Sequence, residues 1–179
     1  MRVVRLVLAV AAAVAALPAG AALAPGIAAP DFRTQGALAG KPFRLHLAEQ
    51  LRSGPVVLYF FPAAFTSGCN AEAKAFAEAT PQFRAAGARV IGMSADTLPQ
   101  LQKFSKEHCA GRFPVAVASA DVMRQYDVLL SRPGVTRTMS DRTSYVIGRD
   151  GKVVFAHSDM NPAGHVRSTL AAVQALARD

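Results

Sequence analysis

The sequence predicts an α/β fold in which a central mixed sheet is flanked by helices. Residues 56–61 and 89–94 are nearly continuous apolar runs, as expected for strands that are covered on both faces. The segment between them is helical in composition, and this strand, helix, strand order predicts a parallel crossover. The Asp150-Gly151 pair, between apolar runs at 143–147 and 152–156, predicts a hairpin. The sheet should therefore contain both parallel and antiparallel strands.

The other elements follow from shorter signals. Residues 29–32 and 40–45 suit two short strands around a glycine turn, and 47–51 suit a brief helix or loop. Thr80 and Pro81 suit the N-cap and first position of a second helix, so the helix that starts at Ser67 is expected to break there, with Gly87 ending the unit. Beyond it the sequence predicts helices over 98–108 and 120–126, a strand over 113–117, a turn at 132–134, and a last helix starting at Asn161-Pro162.

The first 24 residues have the pattern of a secretory signal peptide. Arg2 and Arg5 precede an apolar run over 6–17, and Ala22-Leu23-Ala24 provides small residues at the end. A retained membrane anchor is the alternative, but Pro18 and Gly20 interrupt the run well short of the roughly 20 residues that span a bilayer. The sequence therefore predicts export, with a periplasmic location.

Cleavage after Ala24 would leave residues 25–179 as one domain. The full chain has 20 Lys and Arg against 12 Asp and Glu, a net charge of +8, and cleavage lowers it to +6 by removing two arginines. The basic residues are scattered and do not alternate with aromatics, which argues against a nucleic-acid partner. We expect a single exported domain, monomeric or weakly dimeric, with no membrane span in the mature chain.

Cys69 is the residue around which the chain is organised. Pro62 ends the buried strand, since it cannot donate to a ladder, and a short loop leads to a helix in which Cys69 lies in the first turn. Such a position favours a thiolate. Lowering a thiol from pKa 8.5 to about 6 needs about 3.4 kcal/mol, of which a helix dipole supplies about 0.3–1 kcal/mol. A further cation or hydrogen-bond donor is required.

The motif Pro62-x-x-x-Thr66-x-x-Cys69 resembles the active-site signature of the peroxiredoxins, and its surroundings resemble the Q-type, or bacterioferritin-comigratory-protein, branch. The tetrapeptide at 29–32, Ala-Pro-Asp-Phe, adds modest support. The resemblance covers about 29–155 and implies a thioredoxin-like fold, a peroxide substrate, a thioredoxin-like or other dithiol reductant, and neither metal nor flavin.

The resemblance also implies roles for individual residues. Cys69 matches the peroxidatic nucleophile, Thr66 the residue that hydrogen-bonds the peroxide, and Pro62 the residue that shields the sulfur. Arg142 begins a segment that resembles the family's Arg-x-[Ser/Thr]-Phe-x-Ile strand. It is the candidate for the missing cation, with a surface ion pair as the ordinary alternative. The interpretation requires that the fold leave the sulfur of Cys69 within reach of solvent and that the guanidinium face it.

Cys109 is the remaining cysteine, 40 residues after Cys69. The commonest Q-type pattern places a resolving cysteine five residues after the first, where this chain has Lys74. Some members carry it on the later helix that matches 98–108, which makes Cys109 the candidate. A helical wheel places it at the margin of the buried face, from which a thiol can move. An enzyme resolved by an external thiol and an inert Cys109 remain alternatives.

Two rival classes of protein stay open at this stage. An envelope thiol–disulfide exchange protein is disfavoured because Glu72 occupies the second cysteine position of a C-x-x-C motif. A redox-silent interaction module on the same fold would leave Cys69 inert. Glu72 itself suits either a role in orienting the site or a solvated helix face. The four histidines show no metal-ligand spacing, which disfavours a metal site.

Overall fold

The computed structural model describes residues 22–130 and 137–178. The strands are β1 (Arg33–Leu38), β2 (Lys41–His46), β3 (Val56–Phe60), β4 (Arg89–Ser94), β5 (Val115–Val117), β6 (Thr143–Ile147) and β7 (Val153–Ser158). The helices are α1 (Leu47–Leu51), α2 (Ser67–Ala85), α3 (Leu98–Glu107), α4 (Ala120–Gln125) and α5 (His165–Leu176). The turn predicted at 132–134 and all but the last three residues of the predicted leader lie outside the described residues.

The strands form one mixed sheet in the order β2-β1-β5-β4-β3-β6-β7. Strands β3, β4 and β5 run parallel, whereas β1 and β6 are antiparallel to their neighbours, so the prediction of a mixed sheet is confirmed. Alternate residues of β3 enter two separate cores. Val56, Leu58 and Phe60 face α1 and α4, while Val57 and Tyr59 face α2, α3 and α5.

The topology brings the predicted site residues to one edge of the sheet. Cys69 follows the carboxyl end of β3, and the predicted parallel crossover to β4 is confirmed. Strand β6 runs antiparallel to β3 with Thr143 opposite Phe60. Arg142, one residue before β6, therefore lies beside the point where β3 ends.

The predicted break at Thr80 and Pro81 is wrong, because α2 runs unbroken through Pro81. The Thr80 hydroxyl does not cap a new helix but donates to the Phe76 carbonyl oxygen at 2.8 Å. Pro81 supplies no N–H to the preceding turn, so the helix forgoes one backbone hydrogen bond there. Burial of Phe76 and Phe83 on the same core maintains the helix across that loss.

Two predicted boundaries also differ. The first strand starts at Arg33, because residues 29–32 have no ladder partner and the only pairing just before them is an isolated bridge between Ala28 and Lys152. The last helix starts at His165 rather than at Asn161. The Asn161 side chain accepts from the Ala163 amide at 3.0 Å, and Gly164 has φ 104, which a helical residue cannot adopt.

Within residues 22–130 and 137–178, no helix combines the length and apolar character that crossing a bilayer demands. Leu23, next to the predicted cleavage point, donates its amide to the Tyr145 hydroxyl at 3.2 Å. That hydroxyl also donates to the Tyr126 carbonyl at 2.6 Å, so loss of Leu23 would still leave it hydrogen-bonded.

We expect Pro81→Ala to raise the free energy of unfolding by roughly 1–3 kcal/mol, because alanine restores a helical N–H in the interior of α2. Pro99→Ala is the matched control, since Pro99 lies in the first turn of α3, where proline is compatible and its loss should be neutral or slightly destabilising. Urea unfolding of both variants measures the difference. If Pro81→Ala instead lowers the free energy of unfolding, residues 67–85 would form two helices rather than the single helix α2.

Candidate active site

The segment that carries Cys69 is fixed by the end of β3. The Phe61 amide makes a sheet hydrogen bond to the Met93 carbonyl at 3.0 Å, and Pro62 then takes the chain out of the sheet. Thr66 is the N-cap of α2, and Cys69 is the third residue of that helix. The first bond of the helix runs from the Asn70 amide to the Thr66 carbonyl at 2.8 Å. The amide of Cys69 therefore belongs to the helix start, where N–H groups lack intrahelical partners.

Thr66 lies at the surface with its hydroxyl already oriented. The hydroxyl donates to the Ala63 carbonyl at 2.9 Å rather than capping the helix. Because its proton is engaged there, the oxygen of Thr66 presents lone pairs that can accept a hydrogen bond. A hydroperoxide, which has an O–H to donate, suits that acceptor.

Arg142 is buried, with 4% of its surface exposed, and it reaches three groups at once. One terminal nitrogen lies 3.5 Å from the sulfur of Cys69, the other forms an ion pair with Glu72, and Nε donates to the Met160 carbonyl at 3.0 Å. The guanidinium is thus held on both sides of its contact with the sulfur. The guanidinium of Arg142 faces the sulfur, as we expected from the sequence. The alternative, in which Arg142 forms an ion pair at the surface, does not apply.

Gly68 makes room for this arrangement. A β-carbon placed there would lie 3.3 Å from the guanidinium nitrogen that contacts Cys69. Any side chain at this position would press on the cation. The small residue before Cys69 is therefore part of the geometry that lets the guanidinium approach the sulfur.

Glu72, which the sequence left open, is a buried member of the site. It is 1% exposed, and burial raises its pKa to about 7 even though the ion pair with Arg142 opposes that rise. In the described part of the chain, no donor reaches its second oxygen, Oε1. That oxygen lies 3.7 Å from Nδ1 of His165 on α5.

His165 is fully buried behind Glu72 and was not singled out by the sequence. Its Nε2 lies 2.9 Å from the Asp159 carbonyl, which can only accept, so Nε2 carries the proton. Nδ1 is then an acceptor, 2.9 Å from the Ser144 hydroxyl. Burial lowers the pKa of His165 to about 4, which keeps the ring neutral near pH 7. An acid proton on Glu72 Oε1 would face this nitrogen.

Asp96 holds the loop in front of the helix. Its carboxylate accepts from the Ala64 amide at 2.6 Å and from the Ser94 hydroxyl at 2.7 Å, and it pairs with Arg137. Only 2% of the residue is exposed. The end of β4 is thereby tied to the loop that follows β3, which fixes the approach of the chain to Cys69.

The expectation that Cys109 lies at the margin of the buried face is wrong. Helix α3 ends at Glu107, and the Cys109 amide donates to the Phe104 carbonyl, five residues back, at 3.3 Å, so Cys109 no longer follows the helical wheel. The residue has no exposed surface and shares a core cluster with Cys69. Burial raises the pKa of Cys109 well above that of a free thiol. Both cysteines are free thiols.

Cys69 is itself only 1% exposed. The guanidinium meets the condition set by the sequence, but the sulfur does not meet its own, because it lies beneath the surface. Its neighbours Pro62 and Gly68 are half-buried and Thr66 is exposed. Nowhere in 22–130 or 137–178 do three or more His, Cys, Asp or Glu side chains converge in a way that could hold a metal.

A cation held against the sulfur of a cysteine at a helix start is what a thiol nucleophile needs. Comparison with known proteins gives the class of protein, which is that of the thiol-dependent peroxidases with a thioredoxin-like fold. The AhpC/TSA family matches residues 25–156, and the chain belongs to that family. Its relatives lie in the Q-type peroxiredoxin branch, which confirms the fold and the peroxidase activity expected from the sequence.

Three relatives illustrate the match. The chloroplastic peroxiredoxin Q of Oryza sativa subsp. japonica is 31% identical over 155 residues, which cover 84% of this chain and 67% of that one. Peroxidoxin BcpB of Mycobacterium tuberculosis has 32% identity and a TM-score of 0.69, covering 85% of this chain and 97% of its own. The bacterioferritin comigratory protein of Xanthomonas campestris, studied for its alkyl peroxide reduction activity, has 28% identity and a TM-score of 0.69, with 80% and 91% covered.

The buried Glu72 should make stability depend on pH. Because its pKa in the folded protein, about 7, exceeds the ordinary 4.5, its contribution is complete below pH 4.5 and is lost as pH rises through 7. The unfolding free energy of the wild type, relative to Glu72→Gln, should fall by up to about 3 kcal/mol across that window. His165, whose pKa is lowered, makes stability change with pH in the opposite direction in both proteins. The difference between wild type and Glu72→Gln removes that contribution.

Urea unfolding at pH 5, 6, 7 and 8 provides the measurement. Glu78→Gln is the control, since Glu78 lies exposed on the same helix and should track the wild type. A constant difference between wild type and Glu72→Gln would contradict a titrating Glu72.

Proposed function

We propose that Cys69 is the peroxidatic nucleophile. The thiolate attacks one oxygen of the peroxide, the O–O bond breaks, and the sulfur becomes a sulfenic acid while the departing oxygen leaves as hydroxide or alkoxide and takes a proton from water. The observation that carries the proposal is the guanidinium nitrogen of Arg142 at 3.5 Å from the sulfur.

Arg142 has two roles in this scheme. A fixed cation stabilises negative charge on the sulfur before the attack, and it stabilises the charge that develops on the leaving oxygen during it. The bonds to Glu72 and to the Met160 carbonyl hold the guanidinium in place before substrate arrives. Such preorganisation avoids reorientation of the cation during the reaction.

Thr66 and the amide of Cys69 position the peroxide. The lone pairs of the Thr66 hydroxyl accept from the O–H of the substrate, and the free N–H groups at the start of α2 donate to its oxygens. Pro62 shields the sulfur from water. Since Cys69 is 1% exposed, the first turn of α2 and the loop at 62–66 open locally to admit the substrate.

Cys109 then resolves the sulfenic acid. Its thiol displaces water from the oxidised sulfur and forms an intramolecular disulfide, which a thioredoxin-like or other dithiol reductant reduces. Phe65 of the loop packs its ring 5.5 Å from that of Phe104 and 5.6 Å from that of His108, near the end of α3. Loosening of the loop thereby also loosens the segment that buries Cys109.

The location and assembly of the protein are part of the proposal. The charged start, apolar run and small-residue end of residues 1–24 support removal of a leader and a periplasmic domain over 25–179. The net charge of +6 left after cleavage disfavours tight self-association, which supports a monomer or weak dimer.

Cys69→Ser should abolish peroxide consumption, because a hydroxyl cannot replace the thiolate. Arg142→Gln should lower kcat/KM by about 10²–10³, the usual cost of losing one preorganised charge donor. Stopped-flow peroxide consumption measures both. Arg124→Gln is the control, since Arg124 forms an exposed ion pair with Asp121 on α4 and should retain full activity. Undiminished turnover by Cys69→Ser would refute the nucleophile.

Cys109→Ser should complete one turnover and then stall unless a small thiol is added. After one equivalent of hydrogen peroxide, the intact mass of the wild type should fall by two hydrogens, whereas that of the variant should rise by one oxygen. Sustained cycling of the variant with a protein dithiol reductant alone would contradict the resolving role.

Expression of the full chain in a Gram-negative host tests the leader. The intact mass of the periplasmic protein should correspond to residues 25–179, because the segment 1–24 has the features a signal peptidase recognises. A protein that keeps residues 1–24 and sediments with membranes would instead support the anchor.

A further inference from the structure

A cavity of about 780 Å³ lies at the edge of the sheet opposite Cys69. It is bounded by the β1–β2 turn, by the end of α2, by the start of β4 and by the residues that precede β5. Those are the amino ends of the parallel strands, whereas Cys69 follows the carboxyl end of β3. Cys69 and Phe83 are separated by 14 residues of α2, or roughly 21 Å at the rise of an α-helix. The cavity is therefore separate from the peroxidase site.

The interior of the cavity is apolar. Phe43 and Pro114 line it with part of their surface accessible, Phe83, Val90 and Phe113 lie buried beneath, and Leu38 stands at its mouth with 40% of its surface exposed. The volume falls in the range of about 300–1,000 Å³ that is usual for small-molecule sites. An apolar tail could be removed from water there, and an exposed leucine beside such a hollow adds to the surface that a ligand would cover.

The rim is cationic. Lys41, Arg84, Arg89 and Arg112 all line the cavity, and its lining contains neither Asp nor Glu. Arg84 donates to the Arg112 carbonyl at 2.9 Å and Arg89 to the amide oxygen of Gln50 at 3.1 Å. These contacts orient the guanidinium groups without neutralising them. The salt bridges found in the described part of the chain include none of the four cations.

The occupant must match both parts of the site. Arginine pairs with a carboxylate in two parallel hydrogen bonds, and the rim offers three arginines around an apolar hollow. Arg84 lies in the last turn of α2, where it also offsets the partial negative charge of the helix end. A second copy of this chain is a poor partner, because each mature copy carries a net charge of +6.

We infer that this cavity, with its apolar floor and unneutralised cationic rim, binds a free single-chain amphiphile with an anionic head, of which a fatty carboxylate is the simplest. The tail lies along Leu38, Phe43 and Pro114, which keep accessible surface above the buried Phe83 and Phe113, and the head pairs with the arginines.

Calorimetric titration of the full mature chain with dodecanoate, below its micelle concentration, tests the inference. We expect saturable binding of one molecule per chain. Arg84→Gln with Arg112→Gln should weaken it about tenfold or more, since two charge-assisted contacts are lost. Leu38→Glu should weaken it similarly by placing a like charge at the mouth, and Leu38→Gln should do so much less. All three positions are exposed at the rim or mouth, so the fold should persist.

Matched controls separate this site from diffuse charge and from the peroxidase. Arg124→Gln removes one cation on α4, a helix that contributes no residue to the cavity lining, and should leave dodecanoate affinity unchanged. Uncharged dodecanol should bind about tenfold more weakly. Cys69→Ser should bind dodecanoate like the wild type, and the Arg84→Gln, Arg112→Gln variant should consume peroxide normally.

Several outcomes would overturn the inference. These are the absence of saturable binding, equal loss from Arg124→Gln, loss of binding in Cys69→Ser, or binding to phosphatidylglycerol vesicles without binding of free dodecanoate. The last result would mean a membrane-surface patch. None of them bears on the peroxidase assignment, because that depends on the opposite edge of the sheet.

Discussion

The site depends on one buried cation shared by two groups that can each carry a negative charge. Arg142 contacts the sulfur of Cys69 and forms an ion pair with Glu72, and all three residues are at least 96% buried. A buried cation without a partner would be costly, so the carboxylate keeps the guanidinium in the core. The carboxylate of Glu72 and the sulfur of Cys69 both interact with this guanidinium, so a stronger ion pair leaves less of its positive charge for the sulfur. The protonation of Glu72 therefore determines how much of the positive charge remains for Cys69.

The second layer of the site controls that competition. His165 is neutral, and its proton is committed to the Asp159 carbonyl, so it presents an acceptor toward Glu72 instead of another cation. A protonated histidine at this point would favour the ionised form of Glu72. The carboxylate would then pair more strongly with Arg142 and leave less of its positive charge for the sulfur of Cys69. The C-terminal helix thus does more than cover the sheet. Through His165 it also places a neutral polar side chain behind the ion pair of Arg142 and Glu72.

Because both cysteines are buried, a reaction at either one requires the protein to open locally. Neither thiol has more than 1% of its surface exposed, and the loop at 62–66 is held by Asp96 from one side and packs through Phe65 on α3 from the other. Phe65 has φ 66, a backbone conformation that is rare for an aromatic residue. A loop held in this way is a natural place for coupled opening of the two cysteine segments.

Local sequence signals predicted most of the fold. The buried strands, the parallel crossover, the hairpin at Asp150-Gly151 and the position of Cys69 at a helix start follow from periodicity, proline and glycine, which act within a few residues. Two of the misplaced features concern competition between a local signal and the core. Pro81 does not break α2 because aromatic burial holds both halves together, and Cys109 departs from the helical wheel because the chain turns after Glu107.

The sequence by itself singled out Cys69 as the candidate nucleophile, since its place at a helix start after a buried strand and the proline and threonine at fixed spacing before it are local features that resemble a family signature. It also identified Arg142, through resemblance to a family. Only the tertiary structure decided what surrounds that cation. Glu72 and His165 come from helices far apart in the chain, and their burial and their partners result from packing on the sheet, which no local pattern encodes.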